Sequence, residues 1–190
     1  EITNEGFPIL NKRYSLLKKI GEGSYGVVYK ASYKNKNNSL VAIKQISKMR
    51  INSNAYLIEA LQKEINIMRL LSDENSVKLI ENFETSDYYY LVMELCDSDL
   101  DIELKKHKSE TKKGFNELEV QAIMNQFNKI FYKMQKEHVI HRDLKLKNIM
   151  IKYNKNVEII NFIVKLSDFG FSKVMNEEDI TGTNLGSPAT

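Results

Sequence analysis

Hydrophobic and polar residues divide this 190-residue chain into a strand-rich part followed by a helix-rich part. Strand-like segments dominate up to Met93, and the apolar run at residues 88–93 predicts a buried strand. One helix interrupts these strands near residues 55–71, where apolar side chains recur at helical spacing. Its predicted buried stripe consists of Leu57, Leu61, Ile65 and Met68.

Beyond residue 96 the pattern becomes helical, and the longest apolar stripe predicts a core helix over residues 115–137. The residues expected in the core along this helix are Val120, Ile123, Met124, Phe127, Ile130, Phe131 and Met134. Asparagine-rich stretches at residues 35–38 and 154–161 predict loops. Strands with a single helix, followed by helices, indicate an α+β protein.

Composition narrows the function classes. The chain has 28 Lys and Arg against 25 Asp and Glu, and a net charge of only +3 argues against a nucleic-acid partner. The single cysteine, Cys96, excludes an internal disulfide framework and fits a reducing compartment. No apolar run reaches membrane-spanning length and the N-terminus lacks a signal-peptide core. We therefore expect a soluble, cytoplasmic protein without a transmembrane segment.

Three glycines, Gly21, Gly23 and Gly26, stand between the predicted strands at residues 14–20 and 27–29. Dinucleotide-binding folds use the same glycine spacing, but their last glycine opens a helix rather than a strand. An ordinary glycine turn would not need three glycines at this spacing. The pattern favours a hairpin whose backbone amides approach a triphosphate closely.

The strongest chemical signal is residues 141–148 (His-Arg-Asp-Leu-Lys-Leu-Lys-Asn), followed by Asp-Phe-Gly at residues 168–170. Phosphoryl transfer needs positioning and charge neutralisation, and these residues supply both. Asp143 would accept the substrate hydroxyl proton, and Lys145 adds positive charge beside the moving phosphoryl group. Asn148 and Asp168 would hold Mg²⁺. An isolated Asp-Phe-Gly is usually just a turn, but the longer string resembles the catalytic loop of eukaryotic-type protein kinases.

That resemblance implies a two-lobed protein kinase fold, with a β-rich N-lobe carrying one helix and an incomplete helical C-lobe. It places a catalytic domain at residues 14–190 after an N-terminal extension at 1–13. The N-lobe would cover residues 14–93, the hinge 94–96 and the partial C-lobe 97–190. We expect a fragment of a larger kinase that is poorly active in isolation.

Residues 41–44 (Val-Ala-Ile-Lys) resemble the third strand of the kinase fold. Lys44 would then contact the α- and β-phosphates of ATP, held by Glu64 on the following helix, whereas Glu59 would be a solvated charge. The implied ATP site contains Ile20, Gly21, Gly23, Gly26, Val28, Ala42, Lys44, Met93, Glu94, Cys96, Asp99 and Met150.

Within that site the resemblance gives several residues separate roles. Met93 guards the back of the adenine pocket, and the backbone of the hinge hydrogen-bonds the adenine edge. The ring is sandwiched by Val28, Ala42 and Met150. Asp99 would contact the ribose, although the segment before it is one residue shorter than the commonest pattern. An apolar stack typical of active kinases would consist of Met68, Leu79, His141 and Phe169.

Substrate class and regulation rest on shorter motifs. Lys145, together with residues 186–188 (Gly-Ser-Pro), resembles serine/threonine kinases, so the expected partners are ATP and proteins with Ser or Thr hydroxyls. Ser187 would contact Asp143 and Lys145. Arg142 and Lys173 would pair with a phosphate on Thr183, for which Thr181 is the weaker candidate.

Residues 168–173 and 185–188 look most like the autophagy-initiating, unc-51-like kinases. Two other functions stay open. A pseudokinase would bind ATP and act as a scaffold without transferring phosphate, and a small-molecule kinase would use a different hydroxyl. The complete set of motif residues disfavours the first, and the serine/threonine motifs disfavour the second.

Overall fold

A computed structural model describes residues 9–23, 26–34, 38–156 and 159–175. The strand-rich part contains β1 (Ile9–Leu10), β2 (Tyr14–Gly23), β3 (Gly26–Tyr33), β4 (Ser39–Ser47), β5 (Leu79–Glu84) and β6 (Tyr88–Glu94). They form one six-stranded sheet in the order β1-β2-β3-β4-β6-β5, with antiparallel neighbours throughout. The predicted strand-rich part is therefore confirmed.

The glycine-rich segment is the turn of the β2–β3 hairpin. Gly21 pairs with Val28, and Gly23 pairs with Gly26 at the tip. Residues 24–25 lie outside the described residues. A Cβ at Gly26 would overlap the backbone carbonyl oxygen of Gln45 on β4, so only glycine lets the two strands approach this closely.

Two helices follow β4: the short α1 (Lys48–Ile51) and α2 (Ala55–Leu70). The helix predicted over residues 55–71 is confirmed to within one residue. It begins where the Asn54 side chain accepts a hydrogen bond from the Tyr56 amide at 3.0 Å, which satisfies one of the free donors of the first turn. The sequence did not predict α1, because a single turn is too short to show a helical period.

The second part contains α3 (Leu100–Thr111) and α4 (Glu117–Lys136), with five strands: β7 (Ser98–Asp99), β8 (Val139–Ile140), β9 (Ile149–Tyr153), β10 (Phe162–Leu166) and β11 (Lys173–Val174). The strands form a three-stranded sheet, β10-β9-β7, and a two-stranded sheet, β11-β8. A capping box between Asn116 and Glu119 starts α4, so this helix begins two residues later than predicted.

The apolar stripe of α4 is only partly core. Ile123, Phe127 and Ile130 are buried, as is Met134, so one face of the helix fits the prediction. The prediction was wrong for Val120 and Met124, which are 45% and 46% exposed. At about 100° per residue they lie on one edge of the apolar arc, turned away from the buried centre of the stripe.

The two parts meet where the loop between α2 and β5 lies against β10. Ser76 forms a parallel bridge with Leu166. The Val77 amide donates to the Leu166 carbonyl, and the Leu166 amide donates to the Asn75 carbonyl, both at 2.9 Å. Apolar residues of α2, α4, β9 and β10 share one buried cluster across this junction. The predicted α+β, two-lobed architecture is confirmed.

Candidate active site

Strand β4 and helix α2 bring Lys44 and Glu64 together. The Lys44 Nζ lies 2.6 Å from the Glu64 Oε1, and the two side chains are only 22% and 9% exposed. Burial acts to lower the pKa of Lys44, but the Glu64 carboxylate outweighs it and the pKa is raised. Lys44 is therefore a charged ammonium in a fixed position. Glu59 instead pairs with Lys63 on the exposed face of α2, as a solvated charge would.

The Asp-Phe-Gly segment lies beside this pair. Phe169 is 1% exposed and belongs to the buried cluster that contains Met68 and the partly buried Leu79. The His141 ring meets Phe169 edge-on, with 5.2 Å between ring centroids. This packing holds the segment against α2.

His141 is held in one protonation state. Its Nε2 donates to the Ser167 carbonyl at 2.9 Å, and its Nδ1 accepts from the Asp143 amide at 3.3 Å. Burial lowers the pKa of His141, so the ring is neutral and serves as a rigid link between the catalytic loop and the segment before Asp168. The backbone of Asp168 has a φ of 61° and a ψ of 68°, in the left-handed region that few non-glycine residues adopt.

The catalytic loop brings two polar side chains, those of Lys145 and Asn148, to the carboxylate of Asp143. Its Oδ2 accepts from the Lys145 Nζ at 2.7 Å and from the Asn148 Nδ2 at 2.9 Å. The hydrogen bond from Lys145, helped by Asn148, lowers the pKa of Asp143. Asp143 is therefore an ionised carboxylate, held in place from two sides.

Asp168 lies within electrostatic reach of both clusters. The hydrogen bond to Asp143 raises the pKa of Lys145, and Asp168 raises it further. The same carboxylate contributes to the raised pKa of Lys44. A Cβ at Gly170 would stand 3.4 Å from an Asp168 oxygen, which shows how closely this segment is folded.

Asn148 and Asp168 are the residues predicted to hold Mg²⁺, and each carries a side-chain oxygen. The Ser167 amide donates to the Asn148 carbonyl at 2.9 Å. Asp168 therefore follows directly after a residue whose backbone is bonded to Asn148. Mg²⁺ binds through one or two carboxylates together with substrate phosphates, rather than in a full protein cage. Among the described residues, no group of three or more His, Cys, Asp or Glu could hold a metal ion by itself. The donor set fits Mg²⁺ bound together with a nucleotide.

On the adenine side, register brings the predicted residues onto neighbouring strands. Val28 of β3 pairs with Lys44 of β4, and Ala42 pairs with Met93 of β6. Ala42 is buried, whereas Ile20 on β2 is 43% exposed. The small Ala42 and the cation are therefore two residues apart on the same face of β4.

Asp99 has a structural task that the sequence did not show. Its Oδ1 accepts from the Ile102 amide at 2.9 Å and caps α3. Asp99 also pairs with Met150 in the β7–β9 register. Its contact with ribose stays a prediction.

Sequence reasoning missed Lys165, a buried cation behind the hinge. Its side chain is 5% exposed, and its Nζ lies 3.1 Å from the Glu94 Oε1. It also donates to the Glu74 carbonyl at 2.6 Å, and the same Glu94 oxygen accepts from the Lys78 amide at 2.8 Å. A lysine inside the apolar run of β10 was the available signal, because a charge there must find a partner.

A second lysine behind the hinge was also missed. Lys152 on β9 donates from Nζ to the Leu95 carbonyl at 2.9 Å and lies 3.6 Å from the Asp97 Oδ1. Two cations, Lys165 and Lys152, therefore contact the residues predicted to form the hinge.

The structure describes only some of the residues that are predicted to take part in regulation. Arg142 donates from Nε to the Phe171 carbonyl at 2.6 Å, and Lys173 pairs with Ile140 in the β11–β8 sheet. Thr183 lies outside the described residues, as do Thr181 and Ser187 with its neighbours at 186–188.

Comparison with known proteins agrees with this geometry. The protein kinase domain family matches residues 14–189. The chain belongs to the protein kinase family.

Three relatives of this kinase illustrate the similarity. It is 35% identical to the serine/threonine-protein kinase unc-51 of Caenorhabditis elegans, over 92% of the chain and 20% of that protein. It is 39% identical to calcium-dependent protein kinase 5 of Plasmodium berghei, over 94% of the chain and 30% of that protein. For serine/threonine-protein kinase 33 of Bos taurus the values are 34% identity, 94% of the chain and 36% of that protein. The chain therefore spans between a fifth and about a third of the length of these relatives.

Proposed function

We propose that the protein is an ATP-dependent serine/threonine protein kinase, which transfers the γ-phosphoryl group of ATP to protein hydroxyls with the help of Mg²⁺. One observation carries the proposal: the Asp-Phe-Gly segment lies against both the Lys44–Glu64 pair and the catalytic loop. A Cβ at Gly170 would stand 3.6 Å from the Glu64 Oε2, and the Ser167 amide donates to the Asn148 carbonyl at 2.9 Å. The phosphate-binding cation and the catalytic loop thus belong to a single site. The names of the relatives, two of them serine/threonine-protein kinases, support the same activity.

In this proposal Lys44 aligns the α- and β-phosphates. A lysine on a flexible stem aligns a phosphate well only if its ammonium is fixed, and Glu64 fixes it at 2.6 Å. The β2–β3 hairpin covers the phosphates with backbone amides, since its glycines carry no side chains between backbone and ligand.

Asp143 orients the substrate hydroxyl and takes its proton. Because its pKa is lowered by Lys145 and Asn148, it is a weak base that is fully ionised near neutral pH. This suits a loose transition state, in which little proton transfer is needed before the phosphoryl group moves. Lys145 then neutralises charge that develops near Asp143.

Asn148 and Asp168 would hold Mg²⁺. The Asn148 Nδ2 is engaged by Asp143, which leaves the amide oxygen as the atom available to a metal. When bound, Mg²⁺ neutralises the negative charge of the β- and γ-phosphate oxygens.

The finer assignments are proposals as well. Lys145, placed two residues after Asp143, supports Ser and Thr hydroxyls as substrates. Residues 168–173 support the unc-51-like group, although the identities of 35%, 39% and 34% do not separate unc-51 from the other relatives. The single cysteine supports a cytoplasmic location. Among the described helices none is long and apolar enough to cross a membrane.

Two variants of the full-length protein test the activity. Lys44→Met removes phosphate alignment and should abolish phosphoryl transfer to Ser and Thr peptides while MgATP still binds. Asp168→Asn should abolish transfer and weaken the Mg²⁺-dependent part of ATP binding. The matched control is Lys63→Met on the exposed face of α2, which should retain activity.

Each alternative function gives a distinct result. Near-normal turnover by either variant would refute the kinase proposal. Binding of MgATP by the wild-type protein without transfer to any peptide would favour the pseudokinase. Transfer to a small hydroxyl compound but never to peptides would favour the small-molecule kinase.

A further inference from the structure

The carbonyl of the Leu95–Cys96 peptide in the hinge accepts a hydrogen bond from Lys152. The ammonium lies 2.9 Å from the Leu95 carbonyl oxygen and 3.6 Å from the Asp97 carboxylate. The carbonyl is therefore the closer partner. If Lys152 served only as half of a surface ion pair with Asp97, the shorter distance would be to the carboxylate.

The strand that carries Lys152 is itself fixed. The Asp97 amide donates to the Ile151 carbonyl at 2.8 Å, and the Tyr153 amide donates to the Asp97 Oδ2 at 2.9 Å. These bonds flank Lys152 on both sides in the chain. The backbone that carries the Lys152 side chain is thus bonded on both sides, which places its ammonium next to the Leu95 carbonyl.

The other end of the same peptide is a free donor. The described chain has no cis peptide bonds, so the Leu95 carbonyl and the Cys96 amide point in opposite directions. Within the described ranges no acceptor is bonded to the Cys96 amide. Cys96 and Met150, both assigned to the proposed ATP site, are partly buried and pack against the same apolar cluster.

We infer that Lys152 is a positioning residue for adenine, which orients and polarises the Leu95–Cys96 peptide so that the Cys96 amide donates to the ring nitrogen N1. A cation bonded to a carbonyl strengthens the N–H of the same peptide as a donor, because hydrogen bonds in a chain polarise one another. The side chain of Lys152 is 41% exposed, so solvent screens the charge and the effect is moderate. This inference rests on the proposed ATP-binding function.

The first measurement is the dissociation constant of MgATP for the full-length protein, by isothermal titration calorimetry. Lys152→Met keeps the aliphatic stem and removes the cation, and it should weaken binding about threefold to tenfold, the worth of one hydrogen bond. Lys152→Arg retains a cationic donor and should restore most of the affinity. Lys155→Met is the matched control, because Lys155 lies three residues further along the chain on an exposed turn and, among the described residues, has no bond to the hinge.

The second measurement identifies the ligand atom. The analogue 1-deaza-ATP carries a C–H in place of N1 and cannot accept from the Cys96 amide. Wild-type protein should bind it more weakly than ATP, and this penalty should shrink in Lys152→Met, since the donor is already weakened. A purely structural role of Lys152 would lower the affinity for both nucleotides equally. In turnover assays the effect should fall on the KM for ATP rather than on kcat.

The outcomes separate the two proposals. If wild-type protein fails to bind MgATP, the proposed function fails and this inference falls with it. If wild-type protein binds and Lys152→Met binds equally well, the inference alone is overturned. An equal 1-deaza penalty in both proteins overturns it too. If Lys152→Met unfolds, the comparison of Lys152→Arg and Lys152→Gln decides, because only the arginine should retain wild-type affinity.

Discussion

Replacing Glu94 with leucine would leave Lys165 buried with one remaining acceptor among the described residues, the Glu74 carbonyl oxygen at 2.6 Å. The Lys165 side chain is 5% exposed, so its ammonium cannot recover water when the carboxylate is removed. Breaking a buried ion pair from one side costs about 3–5 kcal/mol. Glu94 is 22% exposed, and some water can enter the space it vacates. We therefore expect a loss near the lower end, about 3 kcal/mol.

The reverse substitution should cost less. Lys165→Met removes the charge and leaves an apolar side chain in an apolar strand. The Glu94 carboxylate is then partly exposed and still accepts from the Lys78 amide at 2.8 Å, so the expected loss is about 1–2 kcal/mol. The double variant Glu94→Leu/Lys165→Met replaces the pair with apolar groups and should lose little more than Lys165→Met alone. The coupling between the two sites should be about 2–3 kcal/mol.

Thermal unfolding of the full-length protein measures these differences. For a domain of this size class each 1 kcal/mol corresponds to about 2–4 °C, so Glu94→Leu should lower the melting temperature by roughly 6–12 °C. Lys63→Met, which breaks the exposed pair with Glu59, is the control and should shift it by about 2 °C or less. Additive losses in the double variant, or equal losses in the two single variants, would show that Lys165 is not held by Glu94.

Two further predictions concern activity. The hydrogen bond from Lys145 is the main cause of the lowered pKa of Asp143, so Lys145→Ala should raise that pKa. The ionised base is lost as pH falls through its pKa, and the acid limb of the kcat/KM profile should therefore move to higher pH. Lys145→Arg should keep the limb in place, and an unmoved limb in Lys145→Ala would contradict the assignment. A phosphate on Thr183 should pair with Arg142 and Lys173 and order the loop. Thr183→Ala should therefore stay less active than wild type after incubation with ATP. Equal activity of the two proteins, with no phosphate mapped to Thr183, would defeat this regulatory hypothesis.

Local signals made α2 and its site residue predictable. Apolar residues at helical spacing fixed the extent of the helix to within one residue of residues 55–71, and Asn54 supplied a cap at its start. The Lys44–Glu64 pair followed from the resemblance to the kinase fold, which specifies the partner across the sheet and helix. The catalytic loop was predictable for a different reason, since its residues are close in sequence and their contacts are local.

Contacts between distant segments were not predictable in the same way. The apolar run around Lys165 indicated that this charge needs a partner, and Lys152 gave no such signal. Only the folded arrangement shows that both lysines contact the hinge. The resemblance concerns the backbone groups of the hinge that are proposed to meet the nucleotide. It does not specify which residues contact the hinge elsewhere. Helical periodicity likewise showed which residues of α4 share an apolar face, but not how much of that face is buried. Val120 and Met124 were therefore assigned to the core wrongly.

The β9–β10 hairpin connects the two ends of the proposed nucleotide site. Asn148 immediately precedes β9 and Asp168 follows β10 after one residue, while the paired residues Ile149 and Leu166 hold these ends side by side. On the same strands, Lys165 and Lys152 contact the hinge. One hairpin therefore positions both the oxygens proposed to bind Mg²⁺ and the peptide groups proposed to meet adenine. A substitution that shifts this hairpin should weaken adenine and Mg²⁺ recognition together, whereas a change at the glycine tip of the β2–β3 hairpin, where Gly23 pairs with Gly26, should act on the phosphates.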